Sequence, residues 1–342
     1  MELTTGPNDA GRRLDRILRR ALPDYPLSLL HRLLRQGRIL VNGCPAGPQD
    51  RAAEGSHIVI RDLPPEPAPF RRRVLSARLP PLLWQGGGLL ILNKPAGMPA
   101  HGPDSLDTLV NAYLSGKLPH SLSFRPGPLH RLDQPSSGII VFSMNIDGAR
   151  IFSALMRERK IQKKYLALAE GRIETEEVWQ DELFRDKSMR KTLKAKESGE
   201  TVSALTTVRP LAVSAWREAE YTLLLAEIAT GRTHQIRAQA AAHGHPLAGD
   251  TKYGGHPIPH MTHNTVPSRA SPKPGGTKNR TGGRFFLHAW IMTLGETGNG
   301  FPRSVTAPVP QAFQNCAGTL FGAETVALIN NYSEDKTPDK KQ

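Results

Sequence analysis

Residues 130–138 read His130-Arg131-Leu132-Asp133-Gln134-Pro135-Ser136-Ser137-Gly138, a carboxylate between a cation and a run of turn-forming residues, followed at once by the apolar stretch 139–143. Pro, Ser and Gly favour a turn closed by local side-chain to backbone hydrogen bonds. Asp133 is therefore expected near a loop tip braced by a strand, the kind of place where a rigid scaffold presents chemistry. A carboxylate there serves as a nucleophile or as a general base. Taken alone, Arg131 and Asp133 read equally well as a surface ion pair at a turn. Other residues have similar settings. Lys94 follows the apolar run 89–92, Tyr165 lies near the start of a run at 164–169, and His234 and Arg237 stand three apart. That spacing puts them on one face of a helix expected over 233–242, with Thr233 as its N-cap. Each has an ordinary reading as a solvated side chain. His256, His260 and His263 are interrupted by Pro257 and Pro259 and have no Cys or carboxylate beside them, so no metal site is expected. Cys44 and Cys316 lie far apart in no paired motif, which argues against a disulfide framework.

The elements that must position these residues divide in two. A length of 342 residues suits two domains. A formal charge of +14 and a pI near 10.0 are the footprint of a phosphate-backbone partner. Neither a basic-then-apolar leader nor a run of eighteen apolar residues is present, so a soluble cytoplasmic protein with no membrane contact is expected. In residues 11–22, Leu14, Ile17, Leu18 and Ala21 have helical spacing, and Arg12, Arg13, Arg16, Arg19 and Arg20 fill the rest of the surface. Leu27, Leu29, Leu30, Leu33 and Leu34 supply a second helix that shows His31, Arg32 and Arg35 and ends at Gly37. A strand at 38–41 beginning with Arg38, an Asn42-Gly43 turn and a returning strand at 57–60 complete the unit. Through residue 73 there are thirteen arginines, no lysine and eight acids, a net of +5. Arginine suits bidentate phosphate contacts; a solvated helix face is the plainer alternative. Residues 62–82, with six prolines and Arg71 to Arg73, read as a linker.

The larger region, 83–330, is expected to hold strands at 89–92, 139–143, 164–169, 221–228 and 285–294, with helices at 150–157 and 233–242. Residues 180–198 are polar and show no period. Residues 256–284 carry five basic residues and no acid among Pro, Gly, Ser, Thr and Asn, and read as a flexible basic insertion. The tail, 331–342, is expected to be disordered.

Four pieces share one character, a polar residue on a turn or helix start adjoining an apolar strand: "NKPAG" at 93–97, "HRLDQPSSG" at 130–138, "KKYLAL" at 163–168 and "TGRTHQIRAQAAAHGHPLAGDTKYGG" at 230–255. In this order they resemble the RluA-type RNA pseudouridine synthases over about residues 84–295. Ahead of them, "RLDRILRRAL", "SLLHRLLRQGRILVNG" and "EGSHIVI" resemble the S-four-like RNA-binding domain. The resemblance implies an α+β protein: an S-four-like domain at 1–61, then a catalytic domain built on a bisected, mostly antiparallel mixed sheet flanked by helices and loops. It implies isomerisation of uridine to pseudouridine in structured RNA, with no metal and no organic cofactor. Large-subunit 23S ribosomal RNA is the expected partner and transfer RNA the other candidate; a monomer is expected.

By the same resemblance Asp133 is the catalytic carboxylate, Arg237 its ion-pair partner, Tyr165 the ring beneath a flipped base and Leu287 the apolar residue closing the pocket. Arg131 fills or braces the vacated base stack, or else contacts a backbone phosphate. His130, Lys94, Arg232 and His234 are expected at the substrate, and Arg12, Arg13, Arg16, Arg32, Arg35 and Arg38 along the RNA. Ser136 stands where the family usually has Thr and keeps the hydroxyl. The residue types suit the chemistry. Uracil must leave the ribose anomeric carbon, rotate and re-attach through carbon 5, while a carboxylate adds to the sugar or takes its 2′ proton. A stacked uridine must first be flipped out, at a cost of a few kcal/mol. A catalytically silent RNA-binding assembly factor and a hydrolytic RNA glycosylase are the competing readings.

Overall fold

A computed structural model describes residues 1–65, 78–102, 104–186, 191–194, 201–258, 285–295, 298 and 300–332. The leucine and isoleucine spacing of the first 60 residues closes on itself. Strand β1 (Glu2–Thr4), helices α1 (Leu14–Ala21) and α2 (Leu27–Arg35), and strands β2 (Ile39–Val41), β3 (Cys44–Pro45) and β4 (His57–Ile60) surround a separate core that includes Leu14, Ile17, Leu30, Leu33, Ile39 and Ile58. The sheet order is β1-β4-β2-β3. Strand β1 has no sequence signal; pairing with β4 makes it.

This module is held to the rest of the chain by Asp9. Its buried carboxylate accepts from Leu122 N (2.8 Å), Ser123 N (2.9 Å) and Ser121 Oγ (2.8 Å). Asn8 Oδ1 accepts from Ile146 N at 3.0 Å.

The remaining elements are β5 (Leu82–Gly86), β6 (Leu89–Lys94), α3 (Leu106–Leu114), β7 (Ser137–Ser143), α4 (Ile146–Arg157), β8 (Gln162–Glu170), β9 (Glu177–Asp186), β10 (Lys191–Lys194), β11 (Val202–Trp216), β12 (Ala219–Ile228), α5 (Gln235–Ala242), β13 (Leu287–Thr293), β14 (Ser304–Thr306), α6 (Gln311–Phe321) and α7 (Ala323–Asn330). They build a ten-stranded mixed sheet, β10-β9-β11-β12-β8-β13-β7-β6-β5, with β14 on β13. Among the described strands only β7 and β13 run parallel, and they pair over just His288↔Ser137 and Ala289↔Gly138. This short seam divides the sheet.

Strands β6 and β7 are continuous apolar runs because both faces are covered. Leu89, Ile91, Ile139 and Val141 join the core beneath α4 and α5, while Leu90, Leu92, Ile140 and Phe142 pack against α3. Helix α6 covers the second face further along, over Leu166, Leu168 and Trp290. Gly138 (φ +110°) is required at the seam, since a Cβ there would sit 2.2 Å from Ala289 O.

Several expectations shift. Helix α4 starts at Ile146, not 150, because Asn145 caps it through Gly148 N at 2.7 Å. Helix α5 starts at Gln235 and Thr233 does not cap it; His234 occupies the N-cap in the left-handed region at φ 55°. The Gln235 side chain fixes that turn, accepting from Arg232 N (3.0 Å) and Thr230 Oγ1 (2.8 Å). Residues 180–198 conceal the end of β9 and all of β10, whose inward positions include Asp181 and Thr192 and therefore show no apolar period. The expected strand at 285–294 is shorter, Leu287–Thr293. Ile258 and Tyr332 pack into the core, against the expectation of flexibility at 256–258 and disorder at 331–332. His260, His263 and most of 256–284 lie outside the described residues. Among the described residues no cluster of three metal-ligating side chains occurs, and no helix is long and apolar enough to cross a membrane.

Candidate active site

The loop 130–136 enters β7 at the seam of the sheet, and its shape is set by a cage of hydrogen bonds. Lys94, at the end of the adjacent strand β6, is 0% exposed and donates to Pro95 O (3.1 Å), Met98 O (3.0 Å) and Gln134 O (3.1 Å). Gly97 N donates to Gln134 O (2.8 Å), and Gln134 Nε2 returns to Gly97 O (3.0 Å). Ser136 N closes the turn on Asp133 O at 3.1 Å. Lys94 thus ties two loops together, with its ammonium turned to these three carbonyls. Burial draws its ammonium down to about 7, against the opposing pull of Asp133.

His130 also braces the scaffold. Its Nε2 accepts from Val141 N (3.1 Å) and its ring stacks on Phe152 at 6.2 Å, so it does not line the cleft. Desolvation first, then the charge of Lys163, pushes it to about 4, which keeps the imidazole neutral.

Asp133 meets Arg237 across 104 residues of chain, with Nη1 donating to Oδ2 at 2.9 Å. The rest of the guanidinium is committed elsewhere. Nε and Nη2 donate to Asp250 Oδ2 (2.6 Å) and Oδ1 (2.8 Å), a bidentate pair in which both partners are buried. The guanidinium lies over the rings of Phe285 (4.3 Å) and Tyr253 (4.9 Å), which wall it from water. Arg237 thus carries two carboxylates, Asp250 buried as its anchor and Asp133 with 21% of its side chain exposed to the cleft.

His234 flanks the pair. Tyr253 Oη accepts from Thr192 N (2.9 Å) and lies 2.8 Å from His234 Nδ1. The other ring nitrogen, Nε2, lies 3.7 Å from Asp133 Oδ2. Burial outweighs the attraction of Asp133 and, with Arg237 opposing protonation, holds this imidazole neutral at about 4. Asp250 and Tyr253 lie within the piece quoted at 230–255, but neither composition nor spacing ties them to Arg237.

A cleft lined by His101, Arg131, Asp133, His234, Arg237 and Lys252 adjoins a recess lined by Leu132, Ser136, Tyr165, Arg232 and Leu287. Tyr165 pairs with Ala289 and Leu287 with Ala167, so the two side chains are diagonal neighbours on one face, across β8 and β13. Desolvation, then Asp133, raises the Tyr165 phenol above its ordinary range, so it stays a neutral ring. Ser136 Oγ is buried with no hydrogen-bond partner among the described residues. Arg131 is exposed at the rim and has no ion-pair partner among the described residues. Arg232 is exposed on the far lip, its Nε bound to Ser203 O at 3.1 Å.

On the N-terminal module Arg16, Arg32 and Arg35 are exposed. Arg13 is engaged with Asp15 (2.7 Å) and Arg38 with Asp62 (3.2 Å). Arg12 is half-buried, its guanidinium lowered by desolvation and by Arg20, Arg16 and Arg150 around it, with Asp9 opposing.

The family model described as RNA pseudouridylate synthase matches residues 88–242. The ribosomal large subunit pseudouridine synthase D of Neisseria meningitidis serogroup A is 29% identical over 91% of this chain and 79% of its own length. The ribosomal large subunit pseudouridine synthase C of Escherichia coli K12 is 28% identical over 92% and 95%. Among solved structures, human RNA pseudouridylate synthase domain containing 1 superposes with a TM-score of 0.51 at 22% identity, covering 69% of this chain and 87% of that one. Over residues 88–242 the chain is thus similar in sequence to the RNA pseudouridylate synthases, and its fold is one seen in a solved protein of that description.

Proposed function

We propose that this protein isomerises uridine to pseudouridine within large-subunit ribosomal RNA, the substrate named for its bacterial relatives. One observation carries the reading: a single cleft-facing carboxylate, Asp133, is aimed by a doubly anchored arginine over a recess floored by Tyr165 and Leu287.

A uridine flipped from its stack lays its ring on the neutral face of Tyr165. When the N1–C1′ bond breaks, the bonding pair stays on the base. Asp133 either adds to C1′ or takes the 2′ proton, and Arg237 offsets the charge of the free carboxylate at each stage. The base rotates, carbon 5 bonds to C1′, and the carboxylate leaves or the 2′ proton returns. Carbon 5 loses its proton and N1 gains one, so the product is an isomer and no co-reactant is needed. Arg131, exposed and without an ion-pair partner among the described residues, fills or braces the gap left by the base. The N-terminal module, read as S-four-like, grips structured RNA through Arg16, Arg32 and Arg35, with Arg12 beside them. Transfer RNA is the second candidate substrate. We further propose that the protein acts as a cytoplasmic monomer.

Mapping pseudouridine across total RNA from cells with and without the gene tests this reading. At least one site is expected to vanish and to return with the wild-type gene. No lost site under conditions of expression refutes it.

A further inference from the structure

Lys163 is the second residue of β8, two places before Tyr165, so the two side chains share one face of the sheet. It is 6% exposed. Among the described residues its ammonium has neither an ion-pair nor a hydrogen-bond partner. Lysine is almost never buried without one, because a desolvated cation is costly unless an opposite charge or good acceptors compensate. The other buried lysine, Lys94, shows the ordinary solution of three carbonyl acceptors. Among the described residues Lys163 has none, and no carboxylate there offsets its burial, which lowers it to about 8 and leaves it largely cationic at neutral pH.

The position of the ammonium is informative. A Cβ on Gly231 would lie 3.4 Å from Nζ, and the charge of Lys163 bears on His130. The tip therefore sits against Gly231, next to Arg232, which lines the recess together with Tyr165. Two residues along a strand span about 7 Å, the order of distance from a base lying on Tyr165 to its own backbone.

We propose that Lys163 is a phosphate-binding residue of the recess, pairing with the phosphodiester beside the flipped uridine and holding that nucleotide's backbone while the base lies on Tyr165. The inference rests on the proposed function. The missing partner is then the substrate, and the unpaired charge persists because RNA neutralises it.

Lys163→Met and Lys163→Arg in the full-length protein test it, with large-subunit ribosomal RNA transcribed in vitro as the probe. For Lys163→Met the slope of log affinity against log salt should shallow by about 0.7–0.9, one phosphate contact, and KM should rise about tenfold. Its Tm should be no lower than that of the wild type, since an uncompensated charge is gone. Lys163→Arg should keep the slope. An unchanged slope in Lys163→Met, or a Tm well below wild type, assigns the lysine a structural role and overturns the proposal. Turnover of the transcript is read in parallel. A wild type that isomerises nothing refutes the activity, whereas the difference in slope still decides Lys163.

Discussion

Asp250 never faces the cleft, yet the geometry makes activity depend on it. Asp250→Leu removes the acceptors of Arg237 Nε and Nη2 and leaves only Asp133 on Nη1. Arg237 is 4% exposed, so the substitution strands a buried cation, a change that costs about 3–5 kcal/mol. At about 2–4 °C per kcal/mol for a domain of this size, Tm should fall by roughly 10 °C. Asp250→Asn keeps the shape and one neutral acceptor, and should cost about 1.5–3 kcal/mol, the worth of hydrogen bonds to a charged group. In either variant the guanidinium is free to swing toward Asp133. A displacement of about 1 Å at a reacting group costs on the order of 100-fold, so kcat should fall by that factor with little change in KM. The double variant Arg237→Met/Asp250→Leu replaces the pair with apolar groups and should recover most of the stability while remaining inactive. Urea unfolding and pseudouridine formation on a large-subunit transcript read the two effects. Wild-type kcat in Asp250→Asn, or a double variant no more stable than Asp250→Leu, refutes the anchoring argument.

Gly138→Ala forces a Cβ to within 2.2 Å of Ala289 O across the parallel seam; the shift needed should destabilise the fold by more than about 3 kcal/mol in urea, and a loss under 1 kcal/mol contradicts the seam. His288 is fully buried between Ser137 Oγ (2.9 Å) and Ala307 O (3.2 Å), and desolvation pushes it to about 4. The unfolded chain binds this proton near pH 6.5 and the folded one near 4, so stability present above about 6.5 is lost as pH falls toward 4, at up to about 1.4 kcal/mol per pH unit. His288→Asn should flatten that slope, and an unaltered pH profile contradicts the assignment. Substituting Arg16, Arg32 and Arg35 by Gln should shallow the salt dependence of RNA binding by about 2–3; an unchanged slope removes the module from the RNA interface.

What the sequence displayed followed from periodicity. Ile139 to Phe142 read as a strand because both sheet faces are apolar there, and α1 and α2 read as helices because leucines recur on one side. Strand β9 stayed hidden because its inward positions include Asp181, whose charge is met by Lys194 of β10 and by Gln239 and His243 at the C-terminal end of α5. The same limit governs the site. Asp133 is visible as a loop carboxylate, but its approach to Arg237 spans 104 residues and was reached only by family resemblance. Asp250 follows from neither spacing nor composition. Lys94 reads as a solvated strand-end cation because a sequence shows a charge and not the three carbonyls that enclose it. Lys163 is the converse, a lysine whose lack of a partner among the described residues only coordinates reveal.

The central claim is that Asp133 performs the glycosidic chemistry. Asp133→Asn preserves size and an acceptor for Arg237 Nη1 but removes the anion. Assayed on in vitro large-subunit transcript with the wild type alongside, it should form no pseudouridine above background while binding the RNA within a few-fold of wild type. Pseudouridine formation by Asp133→Asn at a rate near wild type would contradict the account.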